Sequence, residues 1–447
     1  MFKRKIYNEM LEWKRISKGK TALFIEGARR IGKSTVALEF AKNEYEDYLV
    51  IDFAKASPKV RDVFQDGMDD LDTFFRNLFL FTKKKPKKGR MVIIFDEIQL
   101  FPLARQAIKY LVQDGRYDYI ETGSLISIKK NIKNILIPSE EYRLKMFPMD
   151  FEEFLWATGD EVTMDVIREA FKAKKGVGGR AHHEIMKSFR TYMAVGGMPQ
   201  AVASFVAGET YAQIDFIKQS ILALYEEDLN RHDSENNENA SIVFKHLPEQ
   251  LNRKNPIFKM SSINKNARFK NYIGSFNFIR ESMIGNICAN TTVPEIAMEL
   301  YRKSERFKLY MGDTGLLVTQ IIKMQKSDEL YESLIADKLG VNQGMIFENI
   351  VAQMLRAKGD DLYFHEFSVH DKDTDKEKKF EIDFLLARKN KICPIEVKSS
   401  SYRQHKSLDA LSLKYRLKIP QKIVVYTKDY LDKDGITYLP IYMVPCL

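Results

Sequence analysis

Cysteine is scarce in this 447-residue chain: Cys288, Cys393 and Cys446 stand far apart. Three scattered thiols exclude a disulfide framework, and their spacing has no zinc-site pattern, so a reducing cytosol is the expected compartment. Long hydrophobic runs are also missing. No apolar stretch reaches the length of a membrane span. The basic start Met1-Phe2-Lys3-Arg4-Lys5 is not followed by an apolar core, so neither an anchor nor a secretory leader is expected. What remains is ordinary for a folded protein, 45% hydrophobic and 30% charged. The length predicts more than one core.

Acidic charge is in short supply, and unevenly so. The net charge is +10, and residues 241–310 hold 12 Lys/Arg against 5 Asp/Glu. A basic segment of that size points to a polyanion, DNA above all, or to nothing more than a solvated face.

The segment Gly27-Ala28-Arg29-Arg30-Ile31-Gly32-Lys33-Ser34, followed by Thr35, matches G-x-x-x-x-G-K-[ST] throughout. An apolar strand over 21–26 precedes it and a helical pattern near 33–43 follows. Strand, glycine loop and helix together make a phosphate cradle, because the loop N–H groups and the helix N-terminus face an anion. Lys33 is expected on the β- and γ-phosphates and Ser34 on Mg²⁺. Four apolar residues, Val92-Ile93-Ile94-Phe95, then run into Asp96-Glu97. A buried parallel strand ending in two acids suits a Mg²⁺ shell at Asp96 and a general base at Glu97. Strand and helix patterns alternate to about residue 159, which predicts an α/β fold with a parallel sheet whose ligands lie at the carboxyl ends of the strands. Thr122-Gly123-Ser124 falls at such an end. It is either a polar sensor of the γ-phosphate and water or a turn capped by Ser124. Arg143 either gives charge to the transferring phosphoryl, in its own subunit or in a neighbouring one of an oligomer, or is a surface residue.

In order, the phosphate loop, Asp96-Glu97, Gln99, Thr122-Gly123-Ser124 and Pro148-Met149-Asp150-Phe151-Glu152-Glu153-Phe154 resemble a family of prokaryotic AAA-type P-loop ATPases with a C-terminal domain of unknown function. The likeness continues at Gly196-Gly197-Met198-Pro199, Gly312-Asp313-Thr314-Gly315 and Glu396-Val397-Lys398. The loop pattern does not separate ATP from GTP; the resemblance favours ATP. It also implies a winged-helix-like unit around the basic segment, with strands near 283–291 and 307–311 as the wing.

The last hundred residues place Asp383, Glu396 and Lys398 on otherwise apolar strands, with Glu348 on a preceding helix. This order resembles the PD-(D/E)xK nuclease superfamily. There Asp383 and Glu396 would hold a second divalent metal, Lys398 would orient its water, and Glu348 would complete the shell. The expected domains are an AAA-type ATPase over 1–159, a helical and winged-helix-like region over 160–335, and a nuclease-like α/β domain over 336–447. The expected activity is Mg²⁺-dependent ATP hydrolysis coupled to nucleic acid or a nucleoprotein. The alternatives are a nucleotide-gated protein-binding module, or an ATP-regulated metal-dependent nuclease.

Overall fold

The computed structural model describes the chain except residues 67, 88–89, 124–138, 237, 254, 326–328, 337–342, 372–374, 400–403, 416–418 and 420, and except the side chains of 66, 235–236, 325, 329–330, 343 and 371. Ser124 therefore lies outside the described residues. The chain divides into two units, Met1–Phe147 with Glu281–Met283, and Pro148–Arg280 with Ile284–Leu447.

The first unit is built on five parallel strands: β1 (Ala22–Glu26), β2 (Asp47–Asp52), β3 (Met91–Asp96), β4 (Asp118–Gly123) and β5 (Glu141–Lys145), side by side as β2-β3-β4-β1-β5. Every residue of β1 and the first five of β3 are buried, as the apolar runs require of strands covered on both faces. Strand β4 separates β3 from β1. Its register sets Ile25 beside Thr122 and Phe95 beside Glu121, which brings the carboxyl ends of all three strands level. Phe53, Phe64, Phe74, Phe95 and Phe101 form an aromatic core with helices Pro58–Asp66, Leu71–Thr82 and Pro102–Asp114. Ring centroids 5.2–5.8 Å apart and mostly edge-on suit the ring quadrupole. The helices Ile6–Ser17 and Pro58–Asp66 were not legible in the alternation pattern.

The second unit begins with helices. Asp150 caps Phe151–Ala157 through a reciprocal pair with Glu153, the arrangement its D-x-x-E spacing favours. The Gly-Gly-Met-Pro and Gly-Asp-Thr-Gly motifs meet here. Gly197 N–H donates to Asp313 Oδ2 at 2.7 Å, Leu316 N–H donates to Asp313 Oδ1 at 3.0 Å, and Met149 N–H donates to the Gly197 carbonyl at 2.7 Å. A Cβ on Gly197 would stand 2.1 Å from the Met149 carbonyl oxygen, so only glycine fits. This joint is structural. His182 lies in helix Gly179–Val195. It is bracketed by the Tyr442 hydroxyl (2.9 Å) and the Thr427 carbonyl (3.0 Å), because the helix carries it against the C-terminal strands.

An eight-stranded mixed sheet completes this unit: β6 (Gly285–Thr291), β7 (Arg302–Met311), β8 (Leu362–Asp371), β9 (Lys376–Arg388), β10 (Lys391–Val397), β11 (Lys422–Tyr426), β12 (Leu431–Lys433) and β13 (Ile436–Pro440), ordered β12-β13-β11-β10-β9-β8-β6-β7. The strands expected as a wing are present, but β6 pairs in parallel with β8, Cys288 beside Leu362, so β6 and β7 extend the C-terminal sheet. The physical reason is burial: six of seven β6 residues and the last five of β7 are buried, which a solvated wing does not provide.

Candidate functional site

The phosphate loop leaves β1 and enters helix Lys33–Glu44, with Arg30 and Gly32 in left-handed backbone conformations (φ 65° and 95°) that curl the loop around its own amides. A Cβ on Gly27 would stand 2.4 Å from the Met146 carbonyl oxygen, which explains the glycine at the strand end. Ala28 and Ile31 are buried, Arg29 is half-buried, and Arg30, Ser34 and Thr35 are exposed at the mouth of the loop. Lys33 is buried, and its ammonium donates to the carbonyls of Gly27 (3.0 Å) and Ala28 (2.9 Å). Burial pulls its pKa down to about 8 against the opposing pull of Glu97 and Asp96.

Three predicted residues converge. Asp96 Oδ1 accepts from the Ser34 hydroxyl at 2.7 Å and from the Thr122 hydroxyl. Glu97, next in the chain, sits in the left-handed region at φ 54°, a conformation that costs a non-glycine residue energy and recurs at functional sites. Its carboxylate accepts from the Gln99 side-chain amide. Arg143 is placed elsewhere. It lies mid-strand on β5 beside Phe24, is paired with Glu141 at 3.1 Å, and has its guanidinium 5.9 Å from the Phe24 ring.

Gln99 and Arg4 were not assigned roles from sequence. Arg4 donates to the carbonyls of Ile31 (2.9 Å) and Phe147 (2.7 Å), and so fixes the phosphate loop from the N-terminal segment. Only Gln99 had a signal, its place two residues beyond Glu97.

The Ser34 hydroxyl and Asp96 carboxylate are hard oxygen donors in direct contact at an exposed loop mouth. They fit Mg²⁺, which keeps several waters and takes few protein ligands. Lys33 makes one testable consequence. An ammonium with a pKa of about 8 loses its charge in the empty site above that pH, whereas a bound triphosphate needs the charge. ATP affinity is expected to be flat below pH 7 and to weaken above pH 8 by up to about tenfold per pH unit. Titration with a fluorescent ATP analogue from pH 6.5 to 9.5 checks this; constant affinity across that range would contradict it.

The second predicted site is also assembled, with different occupants. Glu348 lies on helix Gln343–Ala357, Asp383 on β9, Glu396 on β10 and Lys398 just beyond it. Asp383 Oδ2 accepts from Val397 N–H (2.8 Å), Glu396 Oε1 accepts from Leu408 N–H (3.2 Å), and Lys398 pairs with Glu396 Oε2 at 3.0 Å. Lys308 of β7, fully buried, reaches into the acids: its ammonium is 2.6 Å from Glu381, 3.4 Å from Glu348 and 3.7 Å from Asp383. Tyr310 donates to Glu348 Oε2 at 3.0 Å. Burial, offset only in part by Lys308, pushes the Glu348 carboxyl up to about 7. Among the described residues, no group of acids, histidines or cysteines is arranged to hold a metal ion. The carboxylates surround an ammonium, and a second divalent metal does not fit beside it.

Residues 19–155 match the family model described as an AAA domain, 186–328 match a domain of unknown function, DUF8612, and 343–444 match another, DUF4143. No curated protein matches the chain. Among solved structures, the chain is similar to the Walker-type ATPase PABY2304 of Pyrococcus abyssi at 13% identity, over 72% of this chain and 96% of that one, with a TM-score of 0.42. It is also similar to protein VC1899 from Vibrio cholerae at 10% identity, over 86% and 88%, with a TM-score of 0.17. No helix among the described residues is long and apolar enough to cross a membrane. The parallel sheet, the phosphate loop and the matched model agree: residues 19–155 have the fold of a P-loop AAA domain, and matches to two domains of unknown function follow.

Proposed function

We propose that the chain hydrolyses ATP with Mg²⁺ and couples turnover to contact with nucleic acid. The observation that carries the first part is the convergence of the Ser34 and Thr122 hydroxyls on Asp96 beside Glu97 and Lys33. The loop amides from Gly27 to Thr35, with Lys33, hold the β- and γ-phosphates. Ser34 and Asp96 hold the metal shell. A Mg²⁺ ion held there would supply positive charge to offset that developing on the phosphoryl group. Glu97, oriented by Gln99, takes the proton of the attacking water, and Thr122 orients that water or the γ-phosphate. Arg143 keeps its role as a source of charge only for a conformation in which it leaves Glu141.

The second part rests on where unpaired positive charge remains. Within the basic segment, Lys245, Arg253, Arg302, Arg306 and Lys308 are neutralised by Glu226, Glu249, Glu299, Glu366 and the buried acids. Lys265, Arg268 and Lys270 are exposed and make no ion pair among the described residues. They flank Phe269, whose ring packs on Phe276 and Phe307. Such a basic knuckle, anchored by a packed ring, suits phosphate contact. ATP turnover measured with and without double-stranded DNA at two salt concentrations tests the coupling. Stimulation that falls with salt is expected. In the Lys265→Glu, Arg268→Glu, Lys270→Glu variant the log–log salt slope should be shallower by about 3. Turnover indifferent to DNA would end this reading and favour a nucleotide-gated protein-binding module, with hydrolysis itself untouched.

A further inference from the structure

Four carboxylates and two ammonium groups meet at one end of the eight-stranded sheet, from elements far apart in the chain. Lys308 comes from β7, Glu348 from the helix Gln343–Ala357, Glu381 and Asp383 from β9, and Glu396 with Lys398 from β10. The Lys308 side chain has no solvent exposure, whereas Glu348, Glu381 and Asp383 keep 20%, 23% and 16%. The cation is thus the innermost member and the acids form the rim. Its ammonium also lies 5.3 Å from the Phe364 ring centroid, and Tyr310 fixes Glu348 from the same strand. A hard divalent ion needs six or more oxygen ligands, waters included. Here each acid already has an oxygen engaged, by Lys308 at Glu381 and Glu348, by Val397 N–H at Asp383, by Leu408 N–H and the Lys398 ion pair at Glu396.

We infer that Lys308 is the resident cation of this site: its ammonium stands where a divalent metal would be held, excludes that metal, and makes the C-terminal sheet a metal-independent core. Removing the ammonium uncovers the site, because the acids already converge and their rim is open to solvent. The inference does not rest on the ATPase reading, since the P-loop and its acids belong to the other unit.

The test is Mn²⁺ uptake by the full chain without nucleotide, followed by electron paramagnetic resonance of free Mn²⁺ and by calorimetry. Wild type and Asp383→Asn are expected to take up the same amount. Lys308→Ala and Lys308→Met are expected to gain one Mn²⁺ per chain with a Kd on the order of 0.1 mM, and the added Asp383→Asn change should abolish the gain. Wild-type uptake that Asp383→Asn removes would overturn the inference. So would folded Lys308 variants that gain no ion. Should neither Lys308 variant fold, the comparison of wild type with Asp383→Asn decides alone.

Discussion

Glu97→Gln is expected to bind ATP as wild type does and to turn it over about 10²–10⁴-fold more slowly, the range a positioned general base contributes. The substitution keeps the shape of the side chain and its contact with Gln99 while removing the acceptor for the water's proton. Binding should survive because the proposed phosphate contacts come from the loop amides and from Lys33, whose ammonium donates to the Gly27 and Ala28 carbonyls, whereas Glu97 accepts from Gln99. A glutamate at φ 54° costs more than a glycine would, and the fold retains it next to the Asp96 that gathers Ser34 and Thr122. Equilibrium binding of a fluorescent analogue and steady-state phosphate release, measured on one preparation, separate the two effects. Wild-type turnover in the variant would remove Glu97 from the chemistry.

Lys308→Met is expected to destabilise the second unit strongly. Among the described residues, it removes the one cation paired with Glu348, Glu381 and Asp383 together. Breaking a buried ion pair from one side costs about 3–5 kcal/mol. The lower end, about 3 kcal/mol, is the expectation here, because the three acids are each about one-fifth exposed and water screens part of their repulsion. The pH dependence follows from the directions of the shifts. Opposed by burial but outweighed by the three acids and Tyr310, the folded-state pKa of Lys308 lies well above its ordinary value, so its contribution is complete throughout neutral pH and is lost only in strong alkali. Glu348, pushed to about 7, and Glu381 are displaced upward even in wild type, by burial. Without Lys308 they rise further, and the folded state then binds more protons than the unfolded chain. Stability of the variant therefore falls as pH increases from about 5 through neutrality. Urea unfolding of the second unit at pH 5, 7 and 8.5 should show a small deficit at pH 5 and the full deficit at 8.5. A deficit that does not depend on pH would mean that packing, not charge, is what Lys308 supplies.

The two sites differ in how far sequence alone could reach. Gly27 to Ser34 is local: strand, loop and helix are continuous, so the residue pattern and the geometry are one fact. Asp96 and Thr122 were accessible because each ends an apolar strand, and parallel strands bring such ends together. Gln99 was visible only as a neighbour of Glu97. Arg4 was not visible, since its contacts to Ile31 and Phe147 depend on tertiary folding. At the C-terminal site Asp383, Glu396 and Lys398 were legible on apolar strands and Glu348 on a preceding helix, but Glu381 and Lys308 were not. Lys308 lies 40 residues before Glu348, in a segment whose positive charge reads as surplus, and only the pairing of β7 to β6 and β6 to β8 carries it inward. The same pairing is why a wing was expected where the sheet continues. Periodicity identifies strands, and it does not say which sheet they join.

We propose above all that the first unit is a Mg²⁺-dependent ATPase built on Lys33, Ser34, Asp96 and Glu97. The most direct test is phosphate release from ATP by wild type and Lys33→Ala, each with Mg²⁺ and with chelator. Release by wild type only when Mg²⁺ is present, and none above background from folded Lys33→Ala, is the predicted result. Equal release by both proteins, or release that persists in chelator, would contradict the account.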